Sequence, residues 1–234
     1  FGDAPLLYGK TEGSTPFRFS LHVGDVGHCL VVGPTGAGKS VLLALMAMQF
    51  RRYDGSQIFA FDYGGSIRAA ALAMGGDWQD LGGALHDAGS DDSVALQPLA
   101  RIDETAERAW AAAWLAALLA SEGVAVDPAA KEHIWSALTS LATAPVPERT
   151  LTGLAVLLQS QELKLALSPY LVGGPWGRLL DAEAEHLGFA RVQALETEGL
   201  VGAASAASVL SYLFHRIEGR LDGSPTLIII DEGW

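Results

Sequence analysis

The sequence predicts an α/β fold in which a mainly parallel sheet is flanked by helices and carries a helical insertion. An apolar run at residues 29–32 leads into a glycine-rich loop and then into a helical pattern that begins at Val41. A second apolar run, at residues 226–230, leads into Asp231 and Glu232. Between the two runs lies an alanine-rich stretch with helical periodicity. An apolar strand, a loop and a helix in that order are typical of a parallel α/β sheet.

The glycine-rich loop matches the pattern G-x-x-x-x-G-K-[ST] at every fixed position. It consists of Gly33, Pro34, Thr35, Gly36, Ala37, Gly38, Lys39 and Ser40. The glycines let successive backbone N–H groups face a phosphate, and the positive end of the following helix adds to the attraction. Lys39 is expected to neutralise the β- and γ-phosphates of a nucleotide, and Ser40 to ligate Mg²⁺. The pattern predicts a P-loop NTPase, and a plain connecting turn is the weaker interpretation.

Length and composition indicate a globular chain with a substantial core. Its 234 residues, 50% of them hydrophobic, suit one large domain or a domain with an inserted subdomain. The longest apolar run, residues 109–120, is shorter than the ~18 residues that a membrane-spanning helix requires, so no transmembrane segment is expected. The chain begins without an initiator methionine or a secretory signal, and we expect it to be a fragment of a longer protein.

Charge and residue usage limit the classes of partner and metal. The formal net charge of −12 argues against nucleic-acid binding over the whole surface, although a local basic pore loop is compatible with it. The six histidines show no zinc-site spacing, so no transition metal is predicted. The single cysteine, Cys29, is expected to be a small buried side chain of the first strand, which suits a reducing cytosol.

Residues 1–100 are predicted to form an N-terminal hairpin and the nucleotide-binding core. Residues 5–9 and 16–23 have the composition of two short strands joined by a Gly/Ser/Thr turn. After the first helix, residues 57–61 form a second apolar strand that ends at Asp62. Because the carboxyl ends of parallel strands line the ligand crevice, Asp62 is placed to approach nucleotide, Mg²⁺ or the attacking water. A turn or helix-capping aspartate is an equally good interpretation.

A short helix at residues 67–74 and a short strand at residues 94–96 precede a predicted helical insertion at residues 101–188. Its helices are expected at residues 103–120, from Pro128 behind the cap Asp127 to Leu141, from the cap Thr150 onward, and at residues 162–171. Trp110 and Trp114, at helical spacing, are predicted to lie in its core.

Residues 189–234 are expected to return to the core through a strand at 190–195, a helix at 203–221 and the strand at 226–230. Asp231, at the carboxyl end of that last strand, is expected to hold Mg²⁺ through its water shell, and Glu232 to polarise the attacking water as general base. With the phosphate loop on the same chain, this pair points to hydrolysis. No [NT]-K-x-D motif for reading guanine is present, which favours ATP.

Further segments match a known family along nearly the whole chain. They are LLYGKT at 6–11, PFRF at 16–19, the loop at 33–40, FAFD at 59–62, GDW at 76–78, LQPL at 96–99, ETEGL at 196–200, YLFHRIE at 212–218 and DEGW at 231–234. Through them the sequence resembles the TrbE/VirB-type conjugal-transfer ATPases of type IV secretion systems, within the broader HerA/FtsK-like motor ATPases.

The resemblance implies a RecA-like ASCE fold, residues 33–40 as the ATP site, Asp231 as the Mg²⁺-associated acid and Glu232 as the catalytic acid. It further implies a motor that hydrolyses ATP to energise conjugative transfer. This motor would act as a homo-oligomeric ring, a hexamer when full length, with other secretion-channel components at the cytoplasmic face of the bacterial inner membrane. A DNA-translocating or helicase-like motor and a non-hydrolysing nucleotide-binding assembly subunit are the alternatives.

The sequence departs from the family pattern at three places, of which the third is the most consequential. Gly233 stands where the family usually has alanine, and Tyr63 stands where lysine is common. The sequence ends at the Asp-Glu turn, before the sensor strand that in this fold class lies between the phosphate-loop strand and the Asp-Glu strand. We therefore expect unpaired backbone and exposed apolar faces at that place, and an isolated chain incomplete for turnover.

Arg178 follows a glycine-rich turn at residues 173–177, at the end of the insertion, where a loop could reach a neighbouring subunit. In ring ATPases an arginine from the neighbour commonly completes the site, and Arg178 is the candidate here. The alternative is a surface arginine paired with Asp181 at helical spacing, and the sequence favours it.

Overall fold

The computed structural model describes residues 4–22, 27–82, 94–188 and 190–232. The chain divides into two compact units. Unit 1 is formed by residues 1–79, 189–197 and 221–234, and unit 2 by residues 80–188 and 198–220. The helical insertion predicted at residues 101–188 falls inside unit 2, which begins earlier and also takes in a later helix. Gly233 lies outside the described residues.

Unit 1 is built on a four-stranded sheet preceded by a hairpin. The hairpin pairs β1 (Leu7–Lys10) with β2 (Pro16–Phe19) in antiparallel fashion, as predicted. The sheet contains β3 (Gln57–Asp62), β4 (Asp77–Asp80), β5 (Val192–Glu196) and β6 (Thr226–Ile230), in the order β4-β5-β3-β6. Strand β3 runs parallel to both β5 and β6. With the helices that flank it, this sheet confirms the predicted α/β fold.

Two helices and two buried strands form the core of unit 1. Helix α1 (Lys39–Phe50) buries Met46 and Phe50, and helix α2 (Arg68–Ala73) buries Ala71. These side chains cluster with apolar residues of β3 and β5, whose residues are all buried. Full burial of a side chain such as Met46 or Phe50 contributes roughly 1.5–3 kcal/mol. The core therefore fixes α1, and with it the loop that precedes α1, against the sheet.

The register of the parallel strands brings acidic residues to one edge of the sheet. Asp62 at the end of β3 lies opposite Glu196 at the end of β5. Phe61 lies opposite Ile230, so Asp231 follows β6 at the same edge. The backbone N–H of Asp231 continues the ladder by donating to the Phe61 carbonyl at 2.9 Å. Parallel pairing thus gathers Asp62, Glu196 and Asp231, although they are far apart in the sequence.

The prediction of a strand at residues 29–32 was wrong, because the structure assigns no strand there. Leu30 and Val32 are 87% and 82% exposed, and Cys29 is exposed rather than buried. A strand requires a hydrogen-bonded neighbour, and in the part of the chain that the structure describes only β3 pairs with β6. Along the other edge of β6, Ile228 and Ile230 stay about half exposed.

Two shorter segments also differ from the sequence prediction. Residues 94–96 form no strand, because the backbone of Leu96 bonds instead to Leu179 and Ala182. In contrast, β4 forms at residues for which the sequence predicts no strand. Gly76 allows the chain to lie beside β5, because a Cβ at this position would be 2.4 Å from the Val192 carbonyl oxygen. Only glycine lets the chain approach β5 this closely.

Unit 2 is helical, as the sequence predicts. Its described helices are α3 (Thr105–Ser121), α4 (Pro128–Leu141), α5 (Leu151–Leu157), α6 (Gln161–Leu167), α7 (Gly177–Leu180) and α8 (Ala206–Glu218). Asp127 and Thr150 cap α4 and α5 by accepting the N–H groups of Ala130 and Gly153. Trp114 is buried and donates its indole N–H to the Ser208 carbonyl at 2.9 Å, whereas Trp110 stays half-buried and stacks on it.

Burial also shapes the acid–base chemistry of α8. The Tyr212 hydroxyl donates to Glu185, and Arg216 donates to both of these side chains. Burial raises the pKa of Tyr212, and the nearby Glu185 carboxylate raises it further. The tyrosine therefore stays neutral and keeps the Glu185 carboxylate hydrogen-bonded inside unit 2.

Candidate functional site

The loop at residues 33–40 adopts a backbone that depends on glycine. Gly36 and Gly38 have φ angles of 79° and 86°, in the left-handed region that other residues avoid. The Ala37 N–H donates to the Pro34 carbonyl at 3.2 Å, which closes the turn. Helix α1 begins directly afterwards at Lys39 and has no acidic side chain in its first turn. The loop therefore presents the positive end of a 12-residue helix without an internal carboxylate to neutralise it.

Lys39 places its charge over the loop itself. Its Nζ donates to the carbonyl oxygens of Gly33 at 3.1 Å and Pro34 at 3.4 Å. A phosphate held by the loop N–H groups would meet the ammonium at this place. The geometry suits the role of phosphate neutralisation that the sequence predicts for Lys39.

Ser40 and Asp231 meet although 191 positions separate them. The Ser40 hydroxyl donates to Asp231 Oδ2 at 3.3 Å, and Asp231 is buried. Hydroxyl and carboxylate oxygens are the hard ligands that Mg²⁺ prefers, and Mg²⁺ usually completes its shell with substrate phosphates and water. Within the described ranges, no group of three or more His, Cys, Asp or Glu side chains could hold a metal ion unaided. The residues present thus fit a Mg²⁺ ion that arrives together with a nucleotide.

Asp62 is held by its own turn. Its buried carboxylate accepts the Ile67 N–H at 3.1 and 3.2 Å and the Trp78 indole N–H at 3.3 Å. Its carbonyl oxygen accepts two hydrogen bonds from Thr197. This arrangement corresponds to the turn-capping interpretation that the sequence left open. The contact of Asp62 with the Ser40 and Asp231 pair is indirect.

Ser66 makes that indirect contact, and the sequence did not predict it. Its hydroxyl lies 2.8 Å from Asp62 Oδ1 and 2.8 Å from Asp231 Oδ2. The turn that carries Ser66 is fixed by Glu196, which accepts the N–H groups of Gly64 at 3.1 Å and Gly65 at 2.6 Å. The one signal in the sequence was a serine four positions after Asp62 in a glycine turn. Such serines are too common to single one out.

Glu232 occupies an unusual backbone position. Its φ angle is 53°, which for a residue with a Cβ costs roughly 1–2 kcal/mol. Backbone strain of this kind is concentrated at functional sites. The residue is half-buried and lines a cavity of about 740 Å³ together with Lys39 and Asp231. The structure therefore brings the predicted general base to the same place as the loop cation and the acidic end of β6.

The same cavity extends along β6, which among the described strands pairs only with β3. Its walls are formed by β6, by residues 27–33, and by Leu43, Met46 and Phe50 of α1. These walls are mostly apolar. The cavity thus has a polar end, at Lys39 and Asp231, and apolar walls along β6 and residues 27–33.

Comparison with known proteins identifies relatives of this chain. No protein-family model matches it. A probable conjugal transfer protein TrbE of Sinorhizobium fredii is 47% identical over 234 residues, which cover 99% of this chain and 35% of the relative. The conjugal transfer protein TrbE of Rhizobium radiobacter is 45% identical over 99% of this chain and 28% of its own length. The type IV secretion system protein virB4 of Bartonella quintana is 25% identical over 96% of this chain.

The chain is a homologue of the TrbE and VirB4 proteins of conjugal transfer and type IV secretion. It spans 28–35% of the length of these curated TrbE relatives. The solved structure of VirB4 of Thermoanaerobacter pseudethanolicus superposes with a TM-score of 0.73 at 15% identity. That match covers 100% of this chain and 69% of the VirB4 chain, and it shows a shared fold.

In this TrbE/VirB4 homologue, Arg178 lies on α7 of unit 2 and is exposed. The pairing with Asp181 that the sequence favoured does not form. Asp181 is buried and accepts hydrogen bonds from the N–H and hydroxyl of Thr152 and from the Val172 N–H. Among the described residues, no carboxylate lies within ion-pair distance of the Arg178 guanidinium. A role across a subunit boundary stays a prediction.

The sequence of this TrbE/VirB4 homologue predicts no segment that crosses a membrane, and the helices of the structure can be compared with that expectation. None of those in the described ranges combines the length and the apolar character that crossing a bilayer requires.

Proposed function

We propose that this chain is the nucleotide-binding part of an ATP-hydrolysing motor that energises conjugative transfer or type IV secretion. The observation that carries the proposal is the 3.3 Å approach of Ser40 to Asp231 beside a loop that holds Lys39. A hydroxyl at the start of the helix and a carboxylate at the end of a strand are the pair by which P-loop NTPases hold Mg²⁺. Homology to TrbE and VirB4 supports the biological setting.

Each of these residues has a defined task in the proposed reaction. The N–H groups of the loop bind the β- and γ-phosphates, and Lys39 neutralises their charge. Ser40 and Asp231 hold Mg²⁺ directly or through water. When bound, Mg²⁺ supplies positive charge that stabilises the phosphate oxygens in the transition state. Glu232 orients the attacking water and takes its proton, as a general base does.

The proposal extends to the assembly in which the chain acts. We infer a homo-oligomeric ring, hexameric in the full-length protein, in contact with other secretion components at the cytoplasmic face of the inner membrane. The names of the relatives, conjugal transfer and type IV secretion proteins, support this setting. An arginine such as Arg178 from a neighbouring subunit would complete the site in that ring.

Nucleotide binding and turnover in the full-length protein test the proposal. We expect ATP to bind and to be hydrolysed with Mg²⁺, hydrolysis to stop when the metal is chelated, and GTP to compete poorly. Nucleotide binding without turnover would instead indicate an assembly subunit. Salt-dependent DNA binding that stimulates turnover would indicate a DNA-translocating motor. Absence of any nucleotide binding would overturn the proposal as a whole.

A further inference from the structure

Two serine hydroxyls converge on one carboxylate oxygen at the edge of the sheet. Ser40 Oγ lies 3.3 Å and Ser66 Oγ lies 2.8 Å from Asp231 Oδ2. Ser40 belongs to α1, whereas Ser66 belongs to the turn between β3 and α2. Among the described groups, these two hydroxyls are the side-chain donors to Asp231. The orientation of the carboxylate therefore depends on both serines.

The Ser66 hydroxyl has one hydrogen but lies within hydrogen-bond distance of two carboxylates. Its Oγ lies at the same 2.8 Å distance from Asp62 Oδ1 and from Asp231 Oδ2, and a hydroxyl can donate to only one acceptor at a time. Asp62 has other donors, namely the Ile67 N–H and the Trp78 indole N–H. Asp62 can therefore lose its hydrogen bond from Ser66 with little loss of stability, because its carboxylate still accepts these other hydrogen bonds.

Asp231, in contrast, has the Ser40 and Ser66 hydroxyls as its side-chain donors among the described residues. If the Ser40 oxygen ligates Mg²⁺ through a lone pair, as the proposed function requires, the metal orients this hydroxyl, and its 3.3 Å contact with Asp231 Oδ2 is already longer than the 2.8 Å contact from Ser66. A carboxylate that faces a metal ion or its water keeps a fixed orientation only if a protein group also holds it, and Ser66, 2.8 Å from Oδ2, is a donor within reach. The turn that carries Ser66 is held by Glu196, so the hydroxyl is already in place.

We propose that Ser66 is the positioning residue for Asp231, keeping its carboxylate oriented when Ser40 is engaged with the metal. In this role the Ser66 hydroxyl rotates so that it donates to Asp231 instead of Asp62, and the hydrogen stays on Ser66. Both oxygens lie 2.8 Å from Ser66 Oγ, so no backbone movement is needed. The inference rests on the proposed function, since it assumes that Ser40 and Asp231 hold Mg²⁺. It assigns Ser66 a task in metal affinity rather than in the chemical step.

The test uses Ser66→Ala, Ser66→Thr and Ser66→Cys in the full-length protein. Binding of a fluorescent ADP analogue is measured with the metal chelated and then as Mg²⁺ is added. We expect Ser66→Ala to raise the Mg²⁺ concentration needed for half-maximal effect by about tenfold, as loss of a group supporting a metal ligand commonly does. Metal-free binding of the analogue should stay unchanged. Ser66→Thr keeps the hydroxyl and should resemble the wild type, and Ser66→Cys, a weak donor, should lie between.

Ser211→Ala is the matched control, because Ser211 is an exposed serine on α8. It should leave the Mg²⁺ titration unchanged. A Ser66→Ala titration within twofold of the wild type would overturn the inference while leaving the proposed function standing. Equal loss of binding with and without Mg²⁺, or a failure of Ser66→Thr to restore the titration, would make Ser66 merely structural. A wild type that binds no nucleotide would overturn both.

Discussion

Lys39 is the residue on which the proposed binding of phosphate depends most directly. Its ammonium lies over the carbonyls of Gly33 and Pro34, and it is the cationic side chain of the loop. The loop N–H groups and the helix end supply only partial charges. A full positive charge is needed beside the β- and γ-phosphates, and Lys39 is placed to provide it.

Replacing Lys39 by alanine should abolish productive ATP binding. The ATP affinity of the full-length protein is expected to fall at least ~tenfold, because a charge-assisted contact to phosphate is lost. Equilibrium binding and turnover both report the change. Lys131→Ala removes an exposed lysine of α4 and should change neither quantity. Unchanged affinity and turnover in Lys39→Ala would contradict the phosphate role of the loop.

Glu232→Gln should separate binding from hydrolysis. The amide keeps the shape of the side chain but cannot take a proton, so we expect ATP and Mg²⁺ to bind while turnover falls by about 10²–10⁴-fold. Single-turnover kinetics with a parallel binding assay measure the two effects. Glu218→Gln, at an exposed position of α8, is the control. A turnover rate within a few-fold of the wild type would remove Glu232 from the role of general base.

The N-termini of α4 and α5 are determined by capping residues that can be recognised in the sequence. Asp127 accepts the Ala130 N–H at 2.8 Å ahead of Pro128, and Thr150 accepts the Gly153 N–H at 3.0 Å. Each cap satisfies an N–H that the first turn of a helix leaves free. For this reason the predicted start of α4 at Pro128 agrees with the structure.

Asp127→Ala should destabilise unit 2 through α4 alone. Loss of the cap is expected to lower the free energy of unfolding by about 1 kcal/mol, because the Ala130 N–H loses its acceptor. Urea denaturation followed by circular dichroism measures the change. Glu132→Ala, an exposed substitution within the same helix, should have an effect of less than about 0.5 kcal/mol. Equal unfolding midpoints for Asp127→Ala and the wild type would show that the cap contributes nothing.

In the proposed ring, the feature of Arg178 that matters is its exposure. Its guanidinium has no carboxylate partner among the described residues, because Asp181 is engaged by Thr152 and Val172. An exposed arginine without an ion pair is available to a neighbouring subunit. The pairing with Asp181 that the sequence favoured is therefore wrong, whereas the surface position of Arg178 is as that alternative expected.

In an assembled ring, Arg178→Ala should leave ATP binding intact and reduce hydrolysis by ~10³-fold or more, as loss of an arginine finger does. Arg178→Lys, which keeps the charge but not the planar fork, should restore little. Mixing Arg178→Ala with Glu232→Gln subunits should recover part of the activity, because some interfaces then combine an intact Arg178 with an intact Glu232. No recovery on mixing, or loss of ATP binding by the monomer, would assign Arg178 to structure.

The sequence by itself determined the elements whose signals are local. The loop at residues 33–40, the capped helices, and the apolar strands that end at Asp62 and just before Asp231 were all predicted from neighbouring residues. Glycine conformations, caps and periodicity act over a few positions, so one sequence is enough to see them. The homology to TrbE and VirB4 is consistent with the family resemblance of the same motifs.

The tertiary structure alone decided what depends on pairing between distant segments. Residues 29–32 have the composition of a strand, yet no described neighbour hydrogen-bonds to them, and Cys29 is exposed as a result. Ser66 reaches Asp231 across 165 positions, and Ser40 reaches it across 191. Such contacts follow from the order and register of the sheet, which the composition of a segment does not encode. The sequence thus supplied Ser40 and Asp231 as candidate groups, and the parallel pairing of β3 with β6 brought Asp231 beside the turn that carries Ser66.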